Sequence, residues 1–142
     1  MTPQELLDWR KTLGINQREA AAAIGLSYRG YQKLEQGRAP IGERTRLAAR
    51  QVQRQIIWRG GLRGRSFMFM VHVTDAEHSF VLASYLVIAL HQSDARAKVG
   101  AQLPAAERQA QLTAVLTSDE PWQVQDYVHR IPSPLLPTSE HC

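Results

Sequence analysis

The segment that limits the fold most sharply is Gly25-Leu26-Ser27. Glycine takes the left-handed conformation that ends a helix at no steric cost, and a serine two positions on can cap the next helix. Leu26, between them, can point inward. The flanking segments, 17–24 and 28–36, both have helical spacing, so the chain is expected to place two short helices against each other across a three-residue turn. Asn16 can cap the first of these, and its run from Ala20 to Ala23 keeps the side chains small enough for another helix to approach closely.

Similar punctuation extends in both directions. Thr2, Pro3 and Glu5 supply an N-cap hydroxyl, a proline at the first helical position and an acid three residues after the cap. A helix carrying Leu6, Leu7, Trp9 and Leu13 should follow and stop at Gly14. Gly37 stops the helix over 28–36, residues 38–42 form a loop, and residues 43–58 return to helical spacing through Leu47, Val52, Ile56 and Ile57.

Charge is divided unevenly along the chain. Residues 1–65 hold 13 of the 17 Lys and Arg but 5 of the 13 Asp and Glu, giving +8 against −4 for the remainder. A basic module joined to a mildly acidic one suits a polyanion binder with a separate assembly or sensing region, although a solvated basic face has the same composition. Cys142 is the only cysteine, which excludes an internal disulfide and any zinc site built on cysteines of one chain. The sequence opens with no signal-peptide pattern, and its longest apolar stretch, 80–90, is too short to span a bilayer. The expectation is a soluble, cytoplasmic protein with no membrane partner.

At 142 residues the chain can hold two minimal domains, each close to the lower limit for burying its own core. The organisation read here is a helix-turn-helix domain over 1–59, a Gly/Arg linker over 60–66, a dimerisation or partner-binding region over 67–131 and an extended proline-rich tail over 132–142. Within the second region, 67–73 suits a short strand, and Thr74-Asp75-Ala76-Glu77 has the form of a capping box. A buried helix is expected over 75–92, with a strand as the competing reading of 80–90. Further helices are expected over 104–116 and 119–131. The fold class is thus mainly α, a four-to-five-helix N-terminal domain followed by a small, mostly helical region with one possible short strand.

Gln17, the segment from Ala20 to Ile24, Gly25, Ser27, Tyr31, Leu34, Glu35 and Gly37 together resemble the Cro and phage-repressor-like helix-turn-helix family, known as XRE, over residues 5–57. The resemblance implies that the helix over 28–36 enters the major groove of DNA. Helical spacing turns Tyr28, Arg29, Gln32 and Lys33 outward and Tyr31 and Leu34 inward, so the first four are the candidate base readers. Contact of Arg29 with phosphate alone is the competing reading. The resemblance also gives Gln17 a phosphate contact, which the dipole at the start of its helix favours. Arg38 suits the same task, and Ser27 either adds a phosphate contact or serves only as a cap. The resemblance implies an ion pair between Arg10 and Glu35. Gly30 and Tyr28 depart from the pattern. Arg46, Arg50 and Arg54 share one helix face, which either flanks a duplex or is solvated, and the Gly/Arg linker could lie along DNA as a basic arm.

The expected function is a homodimeric repressor or autoregulator that reads an inverted repeat in double-stranded DNA. The alternative is a DNA-binding antitoxin or a phage or plasmid regulator whose C-terminal region holds a partner protein. His72, His78, His91 and His129 have no zinc-type spacing, and Lys98 is the only lysine of the second region, with no serine–lysine segment around it. No catalytic residue, metal or cofactor is expected.

Overall fold

The computed structural model describes residues 1–77, 79–123 and 127–131. The chain divides into two compact units, Met1–Ile56 and Ile57–Cys142, with the boundary inside a helix.

The first unit contains α1 (Pro3–Leu13), α2 (Gln17–Ile24), α3 (Tyr28–Glu35) and most of α4 (Glu43–Gly60). Side-chain caps set the three short helices. The Thr2 hydroxyl accepts from the Glu5 N–H at 3.1 Å while the Glu5 carboxylate accepts from the Thr2 N–H at 2.8 Å. Asn16 and Glu19 form the same reciprocal pair at the start of α2, both bonds at 2.8 Å. Gly14 and Gly25 end α1 and α2 with φ of 69° and 75°, values that favour glycine. Leu6, Trp9, Ala20, Ala21, Tyr31 and Leu34 form the core with Ala49 of α4. The Trp9 indole N–H donates to the Ala49 carbonyl at 3.0 Å, so the one polar atom of this buried ring is satisfied.

The second unit is built on strands β1 (Phe67–Thr74), β2 (Val81–Ala89), β3 (Gln111–Leu116) and β4 (Tyr127–Ile131). They form one sheet in the order β3-β1-β2-β4, with every neighbouring pair antiparallel. Helix α5 (Gln92–Gly100) and a single 3-10 turn at Ala105–Glu107 lie between β2 and β3. Phe67, Phe69, Val71 and Val73 alternate onto one face of β1 and are fully buried, opposite Ala89, Val87, Tyr85 and Ala83 of β2. Ala95 and Val99 of α5 are buried with them. The Trp58 indole, near the end of α4, donates to the Ala114 carbonyl of β3 at 2.8 Å. Past α4, the Gly/Arg segment turns through Gly61 and Gly64, with φ of 75° and 73°, and a Cβ on Gly61 would overlap the Leu90 carbonyl oxygen.

This sheet corrects the expectation of a mainly α protein with a mostly helical second region. The residues expected as a helix over 75–92 instead supply β2, the competing reading of 80–90. The stretch is apolar nearly all round because it is a central strand, paired with β1 from Phe67↔Ala89 to Thr74↔Val81. The capping-box pattern lies in the β1–β2 connection. There Asp75 accepts from the Glu77 N–H through its side chain at 3.1 Å, and its own N–H donates to the Phe80 carbonyl at 3.0 Å. The side-chain bond that caps a helix serves a turn equally well.

The helix expected over 104–116 starts at Pro104 but lasts only the 3-10 turn before β3 pairs with β1. The helix expected over 119–131 is replaced by β4 at its end, while residues 124–126 and the expected extended tail over 132–142 lie outside the described residues. Helix α5 went unforeseen because it has no apolar stripe beyond the single i, i+4 pair Ala95 and Val99.

Candidate nucleic-acid interface

Helices α2 and α3 meet across Gly25-Leu26-Ser27. The Leu26 N–H donates back to the Ala21 carbonyl at 2.9 Å, and the Ser27 hydroxyl accepts from the Gly30 N–H at 3.0 Å. On α3, Tyr31 and Leu34 are buried, Arg29 and Lys33 are exposed, and Tyr28 and Gln32 lie between these extremes. One face of the helix is thus committed to the core and the opposite face to solvent.

A single carboxylate fixes the inner face. Glu35, whose side chain is 6% exposed, accepts from Arg10 Nε at 2.6 Å, Gln17 Nε2 at 2.7 Å and the Tyr31 hydroxyl at 2.8 Å. It therefore gathers donors from α1, α2 and its own helix. Burial by itself would push the Glu35 carboxyl up, but the bonds from Arg10, Gln17 and Tyr31 outweigh it and hold the group below the ordinary carboxylate range. The hydrogen bond to Glu35 raises the Arg10 guanidinium in turn. Burial, followed by the bond to the anionic Glu35, raises the Tyr31 phenol. All three groups keep their ordinary charge state at neutral pH.

Among families, residues 6–45 match the model described as Helix-turn-helix. This segment is an XRE-family helix-turn-helix. The match falls within the residues on which the resemblance was drawn, and it makes the first unit the domain of a DNA-binding regulator. No curated protein and no solved structure matches the chain.

The helix-turn-helix divides the candidate residues into two sets. Arg29, Lys33 and Arg38 have exposed side chains with no hydrogen bond or ion pair among the described residues. Tyr28, Gln32 and Gln17 are engaged. The Arg18 guanidinium lies 4.5 Å above the Tyr28 ring, a cation–π stack. Gln32 Nε2 donates to Gln17 Oε1 at 3.4 Å, and the Gln17 amide nitrogen is taken by Glu35. The Ser27 hydroxyl is occupied as the cap of α3. An open groove of about 490 Å³ runs between the starts of α2 and α3, lined by Arg10, Asn16, Gln17, Arg18 and Tyr28.

Two residues of this arrangement escaped the sequence reading. Arg18 sits beside Gln17 in the first turn of α2, and that adjacency was its only signal. Tyr31 was assigned to the core alone, although its i, i+4 spacing to Glu35 is that of a helical side-chain pair. Gly30 has a structural reason. A Cβ there would sit 3.0 Å from the capping Ser27 hydroxyl, so any larger residue crowds the cap.

On α4, Arg46 is bound to Glu43 by two hydrogen bonds, one of them Nε to Oε2 at 2.8 Å. The histidines weighed as metal ligands are dispersed in other roles. His72 Nδ1 pairs with the Ser84 hydroxyl across β1 and β2 at 2.9 Å, His91 caps α5, and His129 stacks beside Tyr127. His78 lies outside the described residues. Among the described residues, no group of three or more His, Cys, Asp or Glu is placed to hold a metal, and no helix is long and apolar enough to cross a membrane.

Proposed function

We propose that the chain is a cytoplasmic, sequence-specific DNA-binding regulator, a homodimeric repressor or autoregulator that reads an inverted repeat through the major groove. The observation that carries this reading is the presentation of α3. Its inner face is clamped by Glu35, while Arg29 and Lys33 stand exposed on its outer face. A major groove admits one α-helix, and arginine pairs bidentately with guanine. Arg29 is the principal base reader in this reading, with Tyr28, Gln32 and Lys33 beside it.

Phosphates are held at the rim of the same surface. Because the Gln17 amide nitrogen is engaged with Glu35, α2 offers a phosphate the backbone N–H groups of its first turn and the neighbouring Arg18 guanidinium. Arg38, beyond the end of α3, supplies a second rim contact. The excess of Lys and Arg in residues 1–65 draws the duplex in from a distance.

Selection of bound sequences from random duplexes, followed by titration of the selected site, tests the reading. Arg29→Ala is expected to lower affinity about tenfold or more and to relax preference at one base position. Arg38→Ala should weaken all duplexes alike and reduce the salt slope by about one. Recovery of no preferred sequence at moderate salt would sink the reading.

A further inference from the structure

Arginine is distributed unevenly through the middle of the chain. Residues 44–74 hold seven arginines and no Asp, Glu or Lys, whereas soluble surfaces usually intersperse the two signs. Arg59, Arg63 and Arg65 belong to the second unit, and all three are exposed with no hydrogen bond or ion pair among the described residues. They place +3 within seven residues, while residues 66–142 carry −4.

The backbone beneath these side chains is fixed. The Gly61 N–H closes α4 on the Ile57 carbonyl at 3.0 Å, and Gly61 itself lies against the Leu90 carbonyl. Leu62 is buried, and the Arg65 N–H returns to the Leu62 carbonyl at 3.0 Å, so Leu62–Arg65 is a four-residue turn with Arg63 and Gly64 in its middle. Ser66 is buried in its turn, and its carbonyl accepts from the Trp122 N–H at 2.7 Å. Three cations thus leave a short loop pinned at Gly61, Leu62 and Ser66.

This pattern limits the partner. Guanidinium groups pair bidentately with phosphate oxygens, and side chains on an ordered backbone lose less freedom on binding. A duplex would be repelled by the net acidic remainder of the second unit and attracted at this turn. The helix-turn-helix holds that duplex on the same chain, which raises the concentration of phosphates that the turn meets. An anionic membrane suits it less. The only apolar side chain between Arg59 and Arg65 is the buried Leu62, and the neighbouring Trp58 indole is tied to the Ala114 carbonyl.

We infer that Arg59, Arg63 and Arg65 form a second duplex contact, a phosphate grip built on the second unit that reads no base. The inference rests on the DNA-binding regulator proposed above and adds to it a surface outside the helix-turn-helix.

The experiment titrates the full chain between about 50 and 200 mM salt with its selected duplex, or with the random pool if none is selected. Replacing the three together, as Arg59→Gln, Arg63→Gln and Arg65→Gln, should lower the salt slope by about 2.7, the counterion release of three phosphate contacts. Over that range wild type should lose about fortyfold more affinity than the triple variant. Base preference and the thermal melt should stay those of wild type. The charge-keeping set Arg59→Lys, Arg63→Lys and Arg65→Lys should restore the slope. Arg108→Gln, which removes another exposed arginine of the same unit, should leave it unchanged.

A measurement on the unaltered chain stands beside this one. Duplex should protect Arg59, Arg63 and Arg65 from phenylglyoxal, read by mass spectrometry, while Arg108 stays reactive. A triple variant with the wild-type slope, an Arg108→Gln slope that falls as far per charge, or turn arginines that stay reactive on the duplex each overturns the inference. So does release of the triple variant from phosphatidylserine vesicles with duplex binding unchanged, which would assign the turn to a membrane. Selection of bound sequences separates the two claims. A preferred sequence with no change in slope removes only the turn, whereas the expected fall in slope with no preferred sequence removes only the sequence-specific reading.

Discussion

The first unit is closed by directional polar bonds, the second by apolar strands. In the first, one buried carboxylate holds donors from three helices, and its core includes residues as small as Ala20, Ala21 and Ala49. In the second, four consecutive alternate residues of β1, two of them phenylalanines, are fully buried, and the backbone ladder sets the register. Short helices have few turns over which packing can average, so hydrogen bonds of fixed length set their orientation. A sheet needs less of this, because its ladder already fixes where each side chain points.

Each unit should therefore be fragile to a different kind of change. The largest effect is expected from Phe69→Ala, which empties a fully buried site on a central strand and should cost about 4 kcal/mol. Native-state amide exchange should locate that loss in β1 and β2. Arg10→Ala removes no core volume yet should cost about 3 kcal/mol, because it strips the cation from a buried carboxylate. Its loss should appear in the amides of α1 to α3. An Arg10→Ala protein within about 0.5 kcal/mol of wild type would break the contrast.

Acid sharpens the same point. The folded-state pKa of Glu35 is depressed, so its contribution is complete above the unfolded value of about 4.3 and is lost as pH falls through the lower folded value. Stability of the first unit should therefore decline on acidification across that window, and Glu35→Gln should flatten the decline. Ser27→Ala, which removes one cap, should cost about 1 kcal/mol in a urea melt. Gly30→Ala should change stability least. Alanine gains about 1 kcal/mol of helix propensity over glycine, and crowding of the Ser27 hydroxyl offsets part of it.

The two units also differed in how far they could be read in advance, for a physical reason. Every side-chain cap in the first unit joins residues three apart: Thr2 with Glu5, Asn16 with Glu19, Ser27 with Gly30. Such bonds are legible in a short window. Helical spacing likewise placed Arg29 and Lys33 outward and Tyr31 and Leu34 inward. The bond from Gln17 to Glu35 and the stack of Arg18 on Tyr28 depend on how helices meet, and no window of spacing contains them.

In the second unit the decisive partners are farther apart. β1 pairs with β3, placing Phe69 beside Leu116, and nothing near either residue announces the other. Without that pairing, the apolar run over 80–90 suits a buried helix or a central strand equally. The polar run from Thr74 to Glu77 then favoured the helix, although it belonged to a turn.

Gly61 has a consequence for tracing kinship. Loops usually tolerate exchange, yet position 61 leaves no room for a side chain beneath the Leu90 carbonyl. In a saturation library it should be the column where only the original letter survives. Distant kin of the second unit should keep that letter after most of their other side chains have diverged.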